Sequence, residues 1–251
     1  MEAFWIVYVF VIGTLFGSFA NVVIYRLPQG KSIVKPPSAC PFCGKRLAAK
    51  ELIPILSWMA QRGRCRSCDK FISKRYPLVE FLCGVLFAAM VVYSPTLSVI
   101  PLFVLTFVLL TVSFIDWDTQ EIPDRLLLLG VIAAFVWVRF PETHHWVEAM
   151  LGAAAGALPL LIIDRLVMLV VKRDGFGYGD VKLMAVIGLF LGWQLTLVAF
   201  FFAFVSGGIF ATFLIATDRA KRGGYMAFGP FLCIGALGAL WFGEVFIGLL
   251  F

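Results

Sequence analysis

The chain has 251 residues, 61% of them hydrophobic and 14% charged, with a mean hydropathy of +0.96, which excludes an ordinary soluble domain and indicates an all-α polytopic membrane protein. Its apolar stretches approach the roughly 20 residues that cross a bilayer as a helix and do not alternate in polarity, which excludes a β-barrel. The formal charge of +6 follows from where the loops lie and favours anionic lipid; no nucleic-acid partner is needed to explain it.

The first apolar run, Phe4 to Tyr25, is too long for a signal-peptide core and lacks a basic leader, so residues 1–25 are read as a retained first transmembrane helix. Composition then changes abruptly. Residues 26–76 hold twelve Lys or Arg against Glu51 and Asp69 alone. A module this small cannot bury a sizeable core and needs a staple. Cys40-Pro41-Phe42-Cys43 and Cys65-Arg66-Ser67-Cys68, with 21 residues between them, suit a closed tetrahedral zinc site. Gly44 and Gly63 suit tight turns beside the knuckles. Thiol exchange or disulfide formation is the competing chemistry of C-x-x-C, but two knuckles in one basic loop favour structural zinc. Cys83 and Cys233 stand alone in apolar stretches and are read as packing residues.

Residues 77–251 form the remaining domain. Spans are expected at about 77–93, 97–115, 124–140, 147–171, 177–192, 194–217 and 228–250, which with the first helix makes about eight. The charge-free stretch Leu183 to Thr217 is too long for one span and is divided at Gly192-Trp193-Gln194. With the basic module inside, nineteen of the 21 Lys and Arg fall on the cytoplasmic side, among them Arg125, Lys172, Arg173, Lys182, Arg219, Lys221 and Arg222.

That topology brings two acids to one face. Asp116 ends the third span and Asp180 opens the sixth, and acids at membrane helix ends are functional candidates. Two close carboxylates share a proton, so one can act as base on water while the other acts as acid toward a peptide carbonyl. No G-x-S-x-G or H-E-x-x-H motif offers another route, and His144 and His145 fall in an outside loop. For Asp180 a helix cap is the structural alternative, although the glycines Gly175, Gly177 and Gly179 before it favour close approach of a second backbone. Asp124, after Ile122-Pro123, is read chiefly as an N-cap. Asp118 and Glu121 read as a solvated turn. Asp164-Arg165 within a span reads as a neutralising pair or a snorkelling end.

Gly17-Ser18-Phe19-Ala20-Asn21 through Pro28, the two cysteine knuckles, Arg75-Tyr76-Pro77-Leu78-Val79-Glu80, Ile115-Asp116-x-Asp118-x-x-x-Ile122-Pro123-Asp124, Gly177-Tyr178-Gly179-Asp180-Val181-Lys182 and Phe228-Gly229-Pro230-Phe231 together resemble the bacterial type IV prepilin peptidases. The match covers almost the whole chain. It implies a bifunctional inner-membrane enzyme of the G-x-G-D aspartic protease group, working at the cytoplasmic face. Such enzymes cleave the basic leader of prepilins or type II secretion pseudopilins and N-methylate the new first residue with S-adenosylmethionine, serving pilus or secretion assembly indirectly. The resemblance carries the catalytic roles onto Asp116 and Asp180, with Gly177, Gly179, Asp118 and Asp124 in support, and a zinc-binding role onto Cys40, Cys43, Cys65 and Cys68. It does not fix the methyl-donor pocket, for which Glu80 is a candidate against the plainer reading of a helix-end acid. A membrane thiol oxidoreductase built on the cysteines and a proton-coupled transporter built on the aspartates are the alternative readings.

Overall fold

The computed structural model describes residues 2–94, 96–141, 143, 145–172, 177–217 and 226–250. His144, Arg173, Gly175, Phe176, Arg219, Lys221 and Arg222 lie outside them. The elements are helices α1 (Glu2–Arg26), α2 (Leu56–Ala60), α3 (Arg75–Tyr93), α4 (Val99–Thr119), α5 (Asp124–Trp137), α6 (Trp146–Val171), α7 (Tyr178–Ala216) and α8 (Gly229–Leu250), with one 3-10 turn at Ala49–Glu51. Six of them, α1, α3, α4, α6, α7 and α8, are long and apolar enough to cross a membrane. Helix formation is what the bilayer requires, because only internal hydrogen bonding satisfies the backbone in lipid.

Two helices depart from simple spans. α5 has 14 residues and ends at Trp137, short of the expected 140 and of a full bilayer crossing. α7 runs 39 residues but breaks at Gly192, whose φ of 72° and ψ of 174° belong to a region that glycine alone visits readily. Two side chains accept the consequences of the break: Trp137 Nε1 donates to the Phe190 carbonyl at 3.1 Å, and Thr196 Oγ1 donates to the Gly192 carbonyl. The division expected at Gly192 is therefore present in the backbone.

The chain divides into two compact units, Met1–Thr111 and Val112–Phe251, the division falling within α4. In the first unit α1 packs on α3. A Cβ on Gly17 would stand 2.6 Å from the Glu80 Cα, so the helices touch backbone to backbone there, as small residues allow in membranes. Buried Asn21 staples them by donating to the Tyr76 carbonyl at 3.1 Å. In the second unit α7 packs on α6 and on α8. Gly152 and Gly156 of α6 meet the Gly188 and Met184 carbonyls of α7 with no room for a side chain. The half of α7 that carries Asp180 is thereby pressed onto α6.

Candidate active site

The aspartate site assembles within the second unit from three helix ends. Asp116 lies on α4 one turn before its end, since the helix continues to Thr119 instead of stopping at 115. The residue is 5% exposed, and its Oδ2 accepts a hydrogen bond from the Gly229 backbone N–H at 2.9 Å. Gly229 opens α8, where backbone N–H groups lack helical partners and the helix dipole favours negative charge. A Cβ on Gly229 would stand 2.7 Å from that oxygen. Only glycine leaves the carboxylate its place.

An aromatic cradle fixes this junction. Phe228 and Phe231 pack on each other, Phe204 packs on Phe228, Phe210 on Phe231, and Trp117 edge-on against Phe210. These contacts tie the end of α4, the later half of α7 and the start of α8 together.

Asp180 sits in the first turn of α7 and is not its cap. That place belongs to Gly177, whose carbonyl accepts the Asp180 N–H at 3.0 Å. Asp180 Oδ1 is buried and has no hydrogen-bond partner among the described residues. The Asp116 and Asp180 carboxylates lie within each other's field. Buried Cys233, hydrogen-bonded to the Ser113 side chain, feels both charges. Its place beside the acids was not legible from its apolar surroundings.

The close approach at Gly179 comes from a side chain, not from a second backbone: Ile122 Cβ would be 2.9 Å from a Cβ there. Ile122 belongs to the connection after α4, which turns at Gln120 with φ of 55°. Asp124 does not cap α5. Pro123 occupies the cap position without a side-chain bond, and exposed Asp124 instead pairs with Lys182 Nζ at 2.8 Å. The pair links the start of α5 to the first turns of α7. Asp118 is an exposed residue of the last turn of α4, not of a turn beyond the helix. Arg165 donates to the Tyr178 hydroxyl at 3.3 Å.

The four cysteines form the second constellation, in the first unit. Each knuckle is a small hairpin. Cys40 N–H donates to the Lys45 carbonyl and Cys65 N–H to the Lys70 carbonyl, both at 2.9 Å, with bridges Ala39 to Arg46 and Arg64 to Phe71. The residue after the second cysteine is left-handed in both, Gly44 at φ 69° and Asp69 at φ 54°. Gly63, at φ 68°, closes the turn that leads into the second hairpin, and a side chain there would meet the Trp58 ring. All four sulfurs lie within 4.8 Å of one another, and all six cysteines are unbridged. Cys40 and Cys68 Sγ are 3.8 Å apart, the edge of a tetrahedron with metal–sulfur bonds of about 2.3 Å. The backbone N–H groups of Ser67 and then Cys68 lower the Cys65 thiol to about 7. Its neighbour Cys68, against the lowering effect of the Lys70 N–H, is pushed up to about 12 by desolvation and by the crowding of the other three sulfurs. One thiolate therefore forms most readily, and a cation would be needed to hold all four. The cluster can hold a metal ion. Gln61, Arg62, Arg64, Arg66 and Asp69 line, with this knuckle, an open cavity of about 820 Å³.

Glu80 is not a helix-end acid. It is buried within α3 at 8% exposure, and its carboxylate accepts the Ile55 N–H at 2.7 Å. Ile55 has φ of 60° and ψ of −55°, and Leu56 N–H donates across it to the Pro54 carbonyl, which makes it the centre of a strained γ-turn. Such a conformation costs on the order of 1–3 kcal/mol.

Comparison with known proteins matches residues 11–94 to the bacterial peptidase A24 N-terminal domain and residues 103–212 to the type IV leader peptidase family. The chain is 37% identical to a prepilin leader peptidase/N-methyltransferase of Pseudomonas putida, over 97% of the chain and 93% of that protein. It is 34% identical to one of Bacillus subtilis, over 95% and 94%. With one of Myxococcus xanthus it shares 41% identity over 85% of the chain and 64% of that longer protein. No solved structure matches the chain.

Proposed function

We propose that this chain, which belongs to the prepilin leader peptidase/N-methyltransferase family, cleaves the basic leader of prepilins or pseudopilins and methylates the new N-terminus. The observation that carries the peptidase assignment is the pair of carboxylates at neighbouring helix ends. Asp116 is anchored by the Gly229 N–H, and Asp180 keeps one buried oxygen uncommitted to the protein. One carboxylate takes a proton from water as the water attacks the scissile carbonyl. Its neighbour protonates the carbonyl oxygen, and the tetrahedral intermediate collapses as the leaving nitrogen takes up a proton. Asp124 and Gly179 support the site through Lys182 and Ile122. Gly177 does so by capping the turn that carries Asp180, and Asp118 stands on the last turn of α4.

Eight crossings of the inner membrane remain the proposed count: the break of α7 at Gly192 supports counting that 39-residue helix twice, whereas α5, at 14 residues, would be a short eighth crossing. The basic module 26–76 and both aspartates face the cytoplasm, where a prepilin presents its leader. The arrangement has three parts: a first helix over 1–25, the module, and a membrane peptidase domain over 77–251. Cys40, Cys43, Cys65 and Cys68 hold structural zinc, and the sulfur spacing fits it. S-adenosylmethionine, when bound, supplies an electrophilic methyl group. The module serves that second reaction, in which the new N-terminal amine gains the methyl and loses a proton. Pilus or type II secretion machinery enters only as the consumer of the product. The thiol-exchange and proton-relay readings find no support among the relatives.

The test is incubation of the purified protein with a prepilin and S-adenosylmethionine, followed by mass measurement of the mature N-terminus. Loss of the leader with a gain of one methyl is expected. An intact leader would overturn the assignment.

A further inference from the structure

We infer that Glu80 is a positioning residue for methyl transfer: from within α3 its carboxylate latches the strained turn at Ile55 and so sets where the cysteine module stands. The inference rests on the methyltransferase reading above and goes beyond it.

Three observations meet at one atom pair. Glu80 is an acid buried in an apolar helix, an expensive placement that marks a role. Its partner is the backbone N–H of a β-branched residue at positive φ, a conformation that persists only where the surroundings over-determine it. The residue is also held from α1, where Gly17 packs directly against the Glu80 Cα. The latch is therefore rigid on its membrane side.

What it positions can be followed along the chain. Ile55 is the cap residue of α2. On α2 stands Trp58, whose Nε1 donates to the Ile72 carbonyl at 3.1 Å and whose ring covers Gly63. Gly63 and Ile72 flank the second knuckle and bond across it, Ile72 N–H to the Gly63 carbonyl at 2.8 Å. The segment after α2 lines the cavity of about 820 Å³, within the range of small-molecule sites. Glu80 thus fixes the cavity and the Cys65–Cys68 hairpin through α2, without touching either.

A carboxylate that acts as a latch needs an acceptor oxygen; one that pairs with the cationic methyl donor needs its charge. The experiment uses the full chain, with Glu80→Gln, Glu80→Ala and the double variant Glu80→Ala/Ile55→Gly, reading prepilin cleavage, methyl transfer and bound zinc in each preparation. Glu80→Gln keeps an acceptor and is expected to methylate within about threefold of the parent. Glu80→Ala is expected to lose roughly tenfold or more of methyl transfer, with cleavage and zinc content retained. Glycine adopts positive φ without strain, so Ile55→Gly is expected to recover part of that loss. Glu80→Gln as impaired as Glu80→Ala would overturn the latch in favour of a charged donor contact. Unchanged methylation in Glu80→Ala, or cleavage falling in parallel, would also overturn it. A parent protein that cleaves but never methylates would instead refute the underlying reading.

Discussion

The cysteine module and the aspartate site solve opposite construction problems. In the module each knuckle closes on itself: six consecutive residues supply two sulfurs, a left-handed turn and the cross-hairpin hydrogen bond. In the aspartate site no segment contains more than one of the essential groups, and the bond from Gly229 to Asp116 joins residues 113 apart. A local device can be disabled by losing its own ligands. A convergent one can be disabled from any of the helices that meet there, which makes the aspartate site more sensitive to changes outside its acids.

The largest effect that would break the comparison lies in the acids themselves. Asp116→Asn or Asp180→Asn should each abolish leader cleavage, a loss of at least 10²–10⁴-fold on the scale of ~10²–10⁴ for acid–base groups, while the variant still folds in the membrane. A gel-shift cleavage assay on the purified variants checks this. Next comes Gly229→Ala, whose methyl group displaces the Asp116 carboxylate. Cleavage should fall about 10²-fold, the usual result of a misplacement near 1 Å, with the helical circular dichroism signal unchanged.

In the module, Cys40→Ser with Cys43→Ser should remove the metal and damage methylation at least as much as cleavage, as metal analysis beside the mass assay will show. Protons compete with the metal for the same thiolates, so metal retention should weaken as pH falls. The smallest effect belongs to Asp124→Ala or Lys182→Ala. Both partners are more than half exposed, and such pairs contribute about 0–1 kcal/mol, so melting should shift only slightly and less still at high salt.

The same contrast explains what the residues reveal before any fold is known. Knuckle spacing, the apolar lengths of the long helices and the break at Gly192 are local properties and can be read directly. Asp116 and Asp180 can be paired because each acid stands at the end of a long apolar stretch, and the distribution of positive charge leads one to expect those two ends on one face. Gly229 is different: Gly-Pro announces only a helix start, and nothing local says that its N–H will meet an acid from α4. Asp124 misleads because Pro123 already supplies the extended cap geometry, leaving the carboxylate to find Lys182. Glu80 looks like a boundary acid until the chain folds back and lays Ile55 against it.

The break at Gly192 has one more consequence. Below it α7 is pressed to α6 by backbone contact, while above it the helix stacks on α8 through Phe201, Phe202 and Phe246. Asp180 therefore rides on the half of the helix packed against α6, while Asp116 is held through Gly229 at the start of α8, the partner of the other half: one glycine lets a single helix serve both supports of the acid pair.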